Sequence, residues 1–284
     1  MNAEALAKYT ALNTTSLEQH MITGLRKGYI QKQTLHAAYY DSDLNIVEYL
    51  LTVNVAQTLI DWNLENGMSY SLFLEYPTDN FFKNAFVPYM IVGDDIFDTT
   101  IIHPLAAQQL DKREDIRQGR LDLAVCQGAV GMSDFKSSVV GIELKGINPR
   151  TEKVIEDIDR LVLALTMKDD KFENSIQVGY CLHIKKLGGN KRASAEKSLR
   201  NAMEGSIDKL RTFVSEHVAS TSHGIQAELL SDVIDLTSSE NFTSSADQEE
   251  RWTYDEVAER TNIVSAVLIK LTRIKVPVAD SAVA

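Results

Sequence analysis

Apolar residues recur along the chain with two spacings, which separate predicted helices from predicted strands. One helical stripe repeats every three or four positions within residues 43–63 and consists of Leu44, Val47, Leu51, Val55 and Leu59. Residues 151–168 have the same periodicity. Short apolar runs typical of strands occupy residues 69–77, 120–127, 137–146 and 174–184. The order α–β–β–β–α–β predicts an α/β domain with a mixed sheet between helices.

The segments outside this core have other patterns. Residues 1–40 predict a helical cap, and a long helix is expected over about 193–217. Residues 219–250 are rich in Ser, Thr and acids, which favours a linker or surface loop. Thr253 and Glu256 match a capping box, so residues 253–274 predict either a single docking helix or a helix-turn-helix. The predicted organisation is therefore a cap (1–40), a core domain (41–218), a linker (219–250) and a C-terminal helical segment (251–284).

Two charged residues interrupt the apolar run at 137–146. Side chains alternate along a strand, so Glu143 and Lys145 share one face while Ile142 and Leu144 point to the other. Charged groups within a sheet are costly unless they are paired or bind something. The pattern indicates either an ion pair on a solvated face or a binding site.

Asp122 provides a second carboxylate in the preceding strand, with Leu121 and Leu123 expected on the opposite face. If residues 120–127 and 137–146 pair as a hairpin, Asp122 and Glu143 meet on adjacent strands. Two converging carboxylates repel each other unless a cation lies between them, and oxygen ligands of this kind suit Mg²⁺ or Mn²⁺. Lys145 on the same face could position an attacking water beside a phosphate.

These residues resemble the PD-(D/E)xK nuclease superfamily, whose restriction-endonuclease-like core is αβββαβ. The match consists of Asp122 in RLDLAV and of Glu143, Leu144 and Lys145 in GIELKG. Leu121 stands where the family often has proline. The resemblance implies a Mg²⁺- or Mn²⁺-dependent nuclease acting on DNA. Its catalytic residues would be Asp122, Glu143, Lys145 and Glu48, and its metal site would include Asp122, Glu143, Leu144 and Glu48.

Several other charged residues and one histidine lie in the predicted core elements. Glu48 is expected to face inward from the first helix, where it either joins the metal site or forms an ion pair with Lys145. Glu75 in LEYP is expected to be structural or to position substrate. The charged residues Asp157, Asp159 and Arg160 are expected on a solvated helix face, and His183 is expected to be a hydrogen-bonded sheet histidine.

Charge and composition limit the possible partners. A net charge of −11 opposes binding of phosphate backbones by bulk attraction, so a local basic patch is needed. One candidate is the run containing Lys185, Lys186, Lys191 and Arg192, which could instead be a solvated loop and first helical turn. The sequence has no signal-peptide pattern or membrane-spanning run, and its two cysteines are expected to be reduced core thiols, so we expect a cytoplasmic protein.

Three interpretations follow from these patterns. The first is a standalone DNA nuclease, for which a homodimer is plausible because cutting both strands of a duplex usually requires two sites. The second is a catalytically silent nuclease-like module that binds nucleic acid or a protein partner. The third is an ion pair within an unrelated α/β domain.

Overall fold

The computed structural model describes residues 12–38, 47–86, 119–127, 137–168, 174–189, 194–235 and 261–274. Leu44, Lys191 and Arg192 lie outside these ranges. The α-helices are α1 (Thr14–Ala38), α2 (Val47–Glu65), α3 (Thr78–Lys83), α4 (Thr151–Thr166) and α5 (Ser194–Thr221), and a 3₁₀ turn covers Asn84–Phe86. The strands are β1 (Tyr70–Pro77), β2 (Arg120–Gln127), β3 (Ser137–Ile147), β4 (Val178–Gly189), β5 (Ile225–Asp235) and β6 (Thr261–Arg273).

The six described strands form one mixed sheet in the order β1–β2–β3–β4–β6–β5. β1, β2 and β3 form an antiparallel meander, and β4 runs parallel to β3. A parallel neighbour requires a crossover connection, and α4 provides it. The described strands therefore form the mixed sheet of an α/β protein with helices on both faces, as the sequence predicts.

Two helical layers cover the sheet. On one face, α1 and α2 bury an apolar stripe against β3, β4 and β6. The two helices approach closely at Gly24, where an added Cβ would lie 2.5 Å from Cα of Val55. On the other face, α4 and α5 bury residues such as Ile158, Leu161 and Val214. None of the helices in the described ranges is both long and apolar enough to cross a membrane.

The prediction for the C-terminal part of the chain is wrong. Residues 225–235 of the expected linker form β5, and residues 261–273 of the expected helix form β6. β6 lies between β4 and β5, and residues 263–269 are all buried. A strand buried on both faces is apolar throughout, so its sequence lacks the alternation that distinguishes a strand from a buried helix. A strand at this position excludes the helix-turn-helix over residues 261–273.

Candidate active site

Glu143 lies in the middle of β3 and is only 2% exposed. Its side chain points toward α4, where Arg160 donates a hydrogen bond to Glu143 Oε1. Burial raises the pKa of Glu143 to about 8, and the negative charges of Asp122 and Asp157 add to this rise, whereas Arg160 and Lys145 oppose it. Ionisation of Glu143 is therefore disfavoured, chiefly because its side chain is buried.

Asp122 lies beside Glu143, as the predicted hairpin requires. Its Oδ2 accepts a hydrogen bond of 2.6 Å from the backbone N–H of Leu144. The expected alternation around Asp122 is wrong, because Leu121 packs with the α4–α5 layer and Leu123 packs with the α1–α2 layer. Glu75, which stands opposite Asp122 on β1, has a φ of 51°, so the regular pleat is interrupted at this level.

Lys145 bridges the strand and the crossover helix. Its Nζ lies 2.9 Å from Asp157 Oδ2 and donates a hydrogen bond of 3.1 Å to the carbonyl oxygen of Leu144. Within the described ranges, Asp157 Oδ2 accepts no well-aligned hydrogen bond, so the two side chains attract each other mainly through their charges. Burial lowers the pKa of Lys145, but contact with Asp157 and the charges of Asp122 and Glu48 outweigh it, and the net shift is upward. Lys145 is therefore a cation at neutral pH.

Glu48 reaches the same cluster from the opposite helical layer. Its carboxylate accepts a hydrogen bond from the backbone N–H of Gly146, at the end of β3. Partial burial of the carboxylate raises its pKa, Lys145 opposes this rise, and the charges of Asp122 and Asp157 support it. The expectation that Glu48 faces inward is wrong, because the residue as a whole is exposed and the buried stripe of α2 lies on other residues.

The expectation that Asp157 and Arg160 lie on a solvated helix face is wrong. Asp157 is 3% exposed and Arg160 contacts Glu143, so neither lies on a solvated face of α4. Burial raises the pKa of Asp157, whereas Lys145 and Arg160 lower it. Asp159 is exposed as expected, and its Oδ1 lies 2.7 Å from Nε2 of His217. Asp157 follows Val154 by three residues and precedes Leu161 by four, and this spacing already places it on the buried face.

Glu75 differs from the residues of the buried cluster, because it is exposed on β1.

The structure also separates the residues of the basic run. Lys185 and Lys186 are half-buried residues of β4 rather than parts of a loop, and adjacent strand residues point to opposite faces. Burial and the charge of Lys32 lower the pKa of Lys186. These two lysines therefore cannot form one patch with each other.

The cluster as a whole has more acids than bases. Four carboxylates (Glu48, Asp122, Glu143 and Asp157) face two cations (Lys145 and Arg160), which leaves a formal charge of −2 when all six groups are ionised. Within the described ranges, no group of three or more His, Cys, Asp or Glu side chains is arranged to hold a metal ion.

No protein-family model, curated protein or solved structure matches this chain. The support for a function therefore comes from the sequence resemblance and from the geometry and charge of the cluster.

Proposed function

We propose that this chain is a metal-dependent nuclease of the PD-(D/E)xK type that hydrolyses phosphodiester bonds of DNA. The observation that supports the proposal is the buried carboxylate of Glu143 beside Asp122, within a cluster whose formal charge is −2 when all six of its groups are ionised. A divalent cation would neutralise that charge. The succession of a helix, three antiparallel strands, a crossover helix and a parallel strand supports the resemblance, although α3 and a 3₁₀ turn lie between β1 and β2. The spacing of Lys145 two residues after Glu143 supports it as well.

The donor set fits Mg²⁺ or Mn²⁺. Among the described residues, hydrogen bonds engage Oε1 of Glu143 and Oδ2 of Asp122, which leaves the second oxygen of each carboxylate open to a cation. Mg²⁺ usually keeps several waters and needs only one or two carboxylates from the protein, so a site with fewer than three acidic ligands is adequate. The Leu144 carbonyl is a further oxygen donor. When bound, such a cation supplies Lewis acidity and lowers the pKa of water.

The protein's own groups have distinct roles in this proposal. Lys145 is a compact cation that can orient an attacking water and stabilise negative charge on the phosphate. Asp157 holds the ammonium of Lys145 in place, and Arg160 holds the carboxylate of Glu143. Glu48, anchored to the N–H of Gly146, adds a carboxylate at the open end of the cluster.

One observation favours a second candidate function. The ion pairs Arg160–Glu143 and Lys145–Asp157 already place four of the six charged groups of the cluster next to a partner of opposite sign. A network of this kind can be structural, and the domain would then be a catalytically silent module that binds nucleic acid or a protein partner. Activity measurements separate the two candidates.

The test is cleavage of supercoiled plasmid, single-stranded DNA and RNA by the full chain with Mg²⁺, Mn²⁺ or EDTA. We expect metal-dependent nicking of DNA that is lost in Glu143→Gln, a variant that keeps the side-chain shape and an acceptor for Arg160. Glu204→Gln on the exposed surface of α5 is the matched control and should be fully active. Cleavage that persists in Glu143→Gln would refute the proposed site, and absence of any cleavage by the folded wild type would favour the silent module.

The proposed homodimer is tested separately. Light scattering coupled to size exclusion, with and without a DNA duplex, gives the mass of the protein in solution. A mass of one chain in both conditions would contradict the dimer without affecting the proposed chemistry.

A further inference from the structure

A pocket of about 350 Å³ lies between the start of α4, strand β4 and helix α5. Among the described residues, its wall contains no acidic side chain, although the chain as a whole carries a net charge of −11. Its polar residues are Asn148, Thr151, His183, Lys185, Ser206 and Lys209. The pocket is therefore an electropositive feature of an acidic protein.

The start of α4 contributes positive potential to the pocket. Arg150 has an extended backbone at the N-cap position, and no side chain caps the first turn. The first amide groups of a helix have no acceptor within the helix, and the helix dipole adds partial positive charge there. Thr151, the first residue of this 16-residue helix, lines the pocket.

His183 provides an independent indication of a ligand. The residue is 2% exposed and is one of those that line the pocket, and its buried Nδ1 atom has no hydrogen-bond partner among the described residues. The expectation that this histidine is hydrogen-bonded within the sheet is therefore wrong for Nδ1. Burial, followed by the charge of Lys185, lowers its pKa to about 4. The ring is therefore neutral, with one N–H to donate, and buried polar groups without partners are rare in proteins.

Two lysines add full charges to the same pocket. Lys185 is half-buried on β4, and Lys209 is exposed on α5. In the part of the chain that the structure describes, neither lysine forms an ion pair. Helix amides, ammonium groups, a hydroxyl of Ser206 and an imidazole are all donors, and a tetrahedral oxyanion has acceptors for them. We propose that this pocket binds a phosphate group.

The position of the pocket indicates where that phosphate comes from. Cys181 pairs with Glu143 across β3 and β4, and His183 follows Cys181 by two residues on the same face of β4. Asn148 follows Lys145 by three residues. The pocket thus begins where the carboxylate cluster ends, which suits a second phosphate of the strand that is being cut. This assignment to a nucleic-acid strand rests on the proposed nuclease function, whereas phosphate binding itself does not.

The first experiment titrates the metal-free full chain with inorganic phosphate by calorimetry. We expect binding by the wild type and by Lys27→Ala, a control on the exposed surface of α1 in the other layer. Lys185→Met keeps the apolar stem, and both it and Lys209→Ala should weaken binding by about tenfold, because each removes a charge-assisted donor. No phosphate binding by the wild type, or equal binding by all four proteins, would overturn the proposal. Lys209 is exposed, so its variant remains a valid test if Lys185→Met does not fold.

The second experiment identifies the source of the phosphate with otherwise identical oligonucleotides that carry either a 5′-phosphate or a 5′-hydroxyl. A preference for the 5′-phosphate that Lys185→Met abolishes indicates a terminal phosphate. An equal loss of affinity for both strands in Lys185→Met indicates a backbone phosphodiester. Unchanged affinity for both would overturn the assignment to a strand. Phosphate binding without any DNA cleavage would refute the proposed nuclease and leave the anion pocket in place.

Discussion

Replacing Glu143 by Gln should make the protein more stable at alkaline pH when no metal is present. An acid with a raised pKa in the folded state retains its proton while the unfolded chain has lost it. The free energy of unfolding therefore falls as pH rises between the two pKa values. For Glu143 this window extends from the ordinary value of 4.5 to about 8. Below the window Glu143 is protonated in both the folded and the unfolded state, so its ionisation costs no stability. Above the window it is ionised in both states, and the full loss of unfolding free energy is reached.

The magnitude follows from the linkage relation. One bound proton changes the free energy of unfolding by about 1.4 kcal/mol per pH unit, so the interval from pH 5 to pH 8 corresponds to an upper bound of roughly 4 kcal/mol. Gln has no proton to lose and still offers an amide oxygen to Arg160. The stability advantage of Glu143→Gln over the wild type should therefore grow with pH across this interval.

The assay is urea unfolding in EDTA at pH 5, 6, 7 and 8, with wild type, Glu143→Gln and the surface control Glu204→Gln. The control should follow the wild type at each pH. Adding Mg²⁺ at pH 8 should stabilise the wild type and not Glu143→Gln, because only the wild type gains an ionised ligand. If the unfolding free energies of wild type and Glu143→Gln run parallel from pH 5 to pH 8, burial and the neighbouring carboxylates do not raise the pKa of Glu143, and the electrostatic basis of the proposed site is refuted.

Three further predictions address the groups around Glu143. Lys145→Ala should bind Mg²⁺ in calorimetry but reduce single-turnover cleavage by a factor on the order of 100, and Lys145→Arg should restore little of it because a planar guanidinium does not replace an ammonium. Arg160→Met removes a cation that opposes the raised pKa of Glu143, so urea unfolding should show a larger loss of stability at pH 8 than at pH 5. Gly24→Ala places a methyl group against the backbone of Val55 and should cost about 1–3 kcal/mol of unfolding free energy, measured by urea unfolding, whereas Gly205→Ala, which meets no neighbour, should not destabilise the protein.

The parts of the fold that the sequence predicts are those with a local pattern. The central segments of β2 and β3 are short apolar runs typical of buried strands, and the apolar residues of α4 repeat at helical spacing. β6 is also an apolar run, with residues 263–269 all buried, but it follows a capping-box pattern, and such a run cannot be distinguished from a buried helix by periodicity. Its identity as a strand depends on pairing with β4 and β5, which are distant in sequence.

The residues of the candidate site were also predicted only in part. Asp122, Glu143 and Lys145 were predicted together because charged residues in apolar strands are conspicuous. Asp157 and Arg160 were missed because charged residues are common on amphipathic helices and usually face water. Only the packing of α4 against β3 shows that these two residues face the sheet. Lys185 and Lys186 were predicted to form one patch because they are adjacent in sequence. In strand β4, adjacent side chains point to opposite faces of the sheet, so the two lysines are separated.

Helix α4 connects the two proposed sites physically. Its first turn lines the phosphate pocket, and Asp157 contacts Lys145 six residues later. A helix rises about 1.5 Å per residue, so these two points are roughly 9 Å apart along the helix axis. That distance lies within the reach of a single nucleic-acid strand. A phosphate held at the start of α4 would therefore fix the strand relative to Lys145, and binding energy from this remote contact would serve to position the reacting phosphate rather than only to increase affinity.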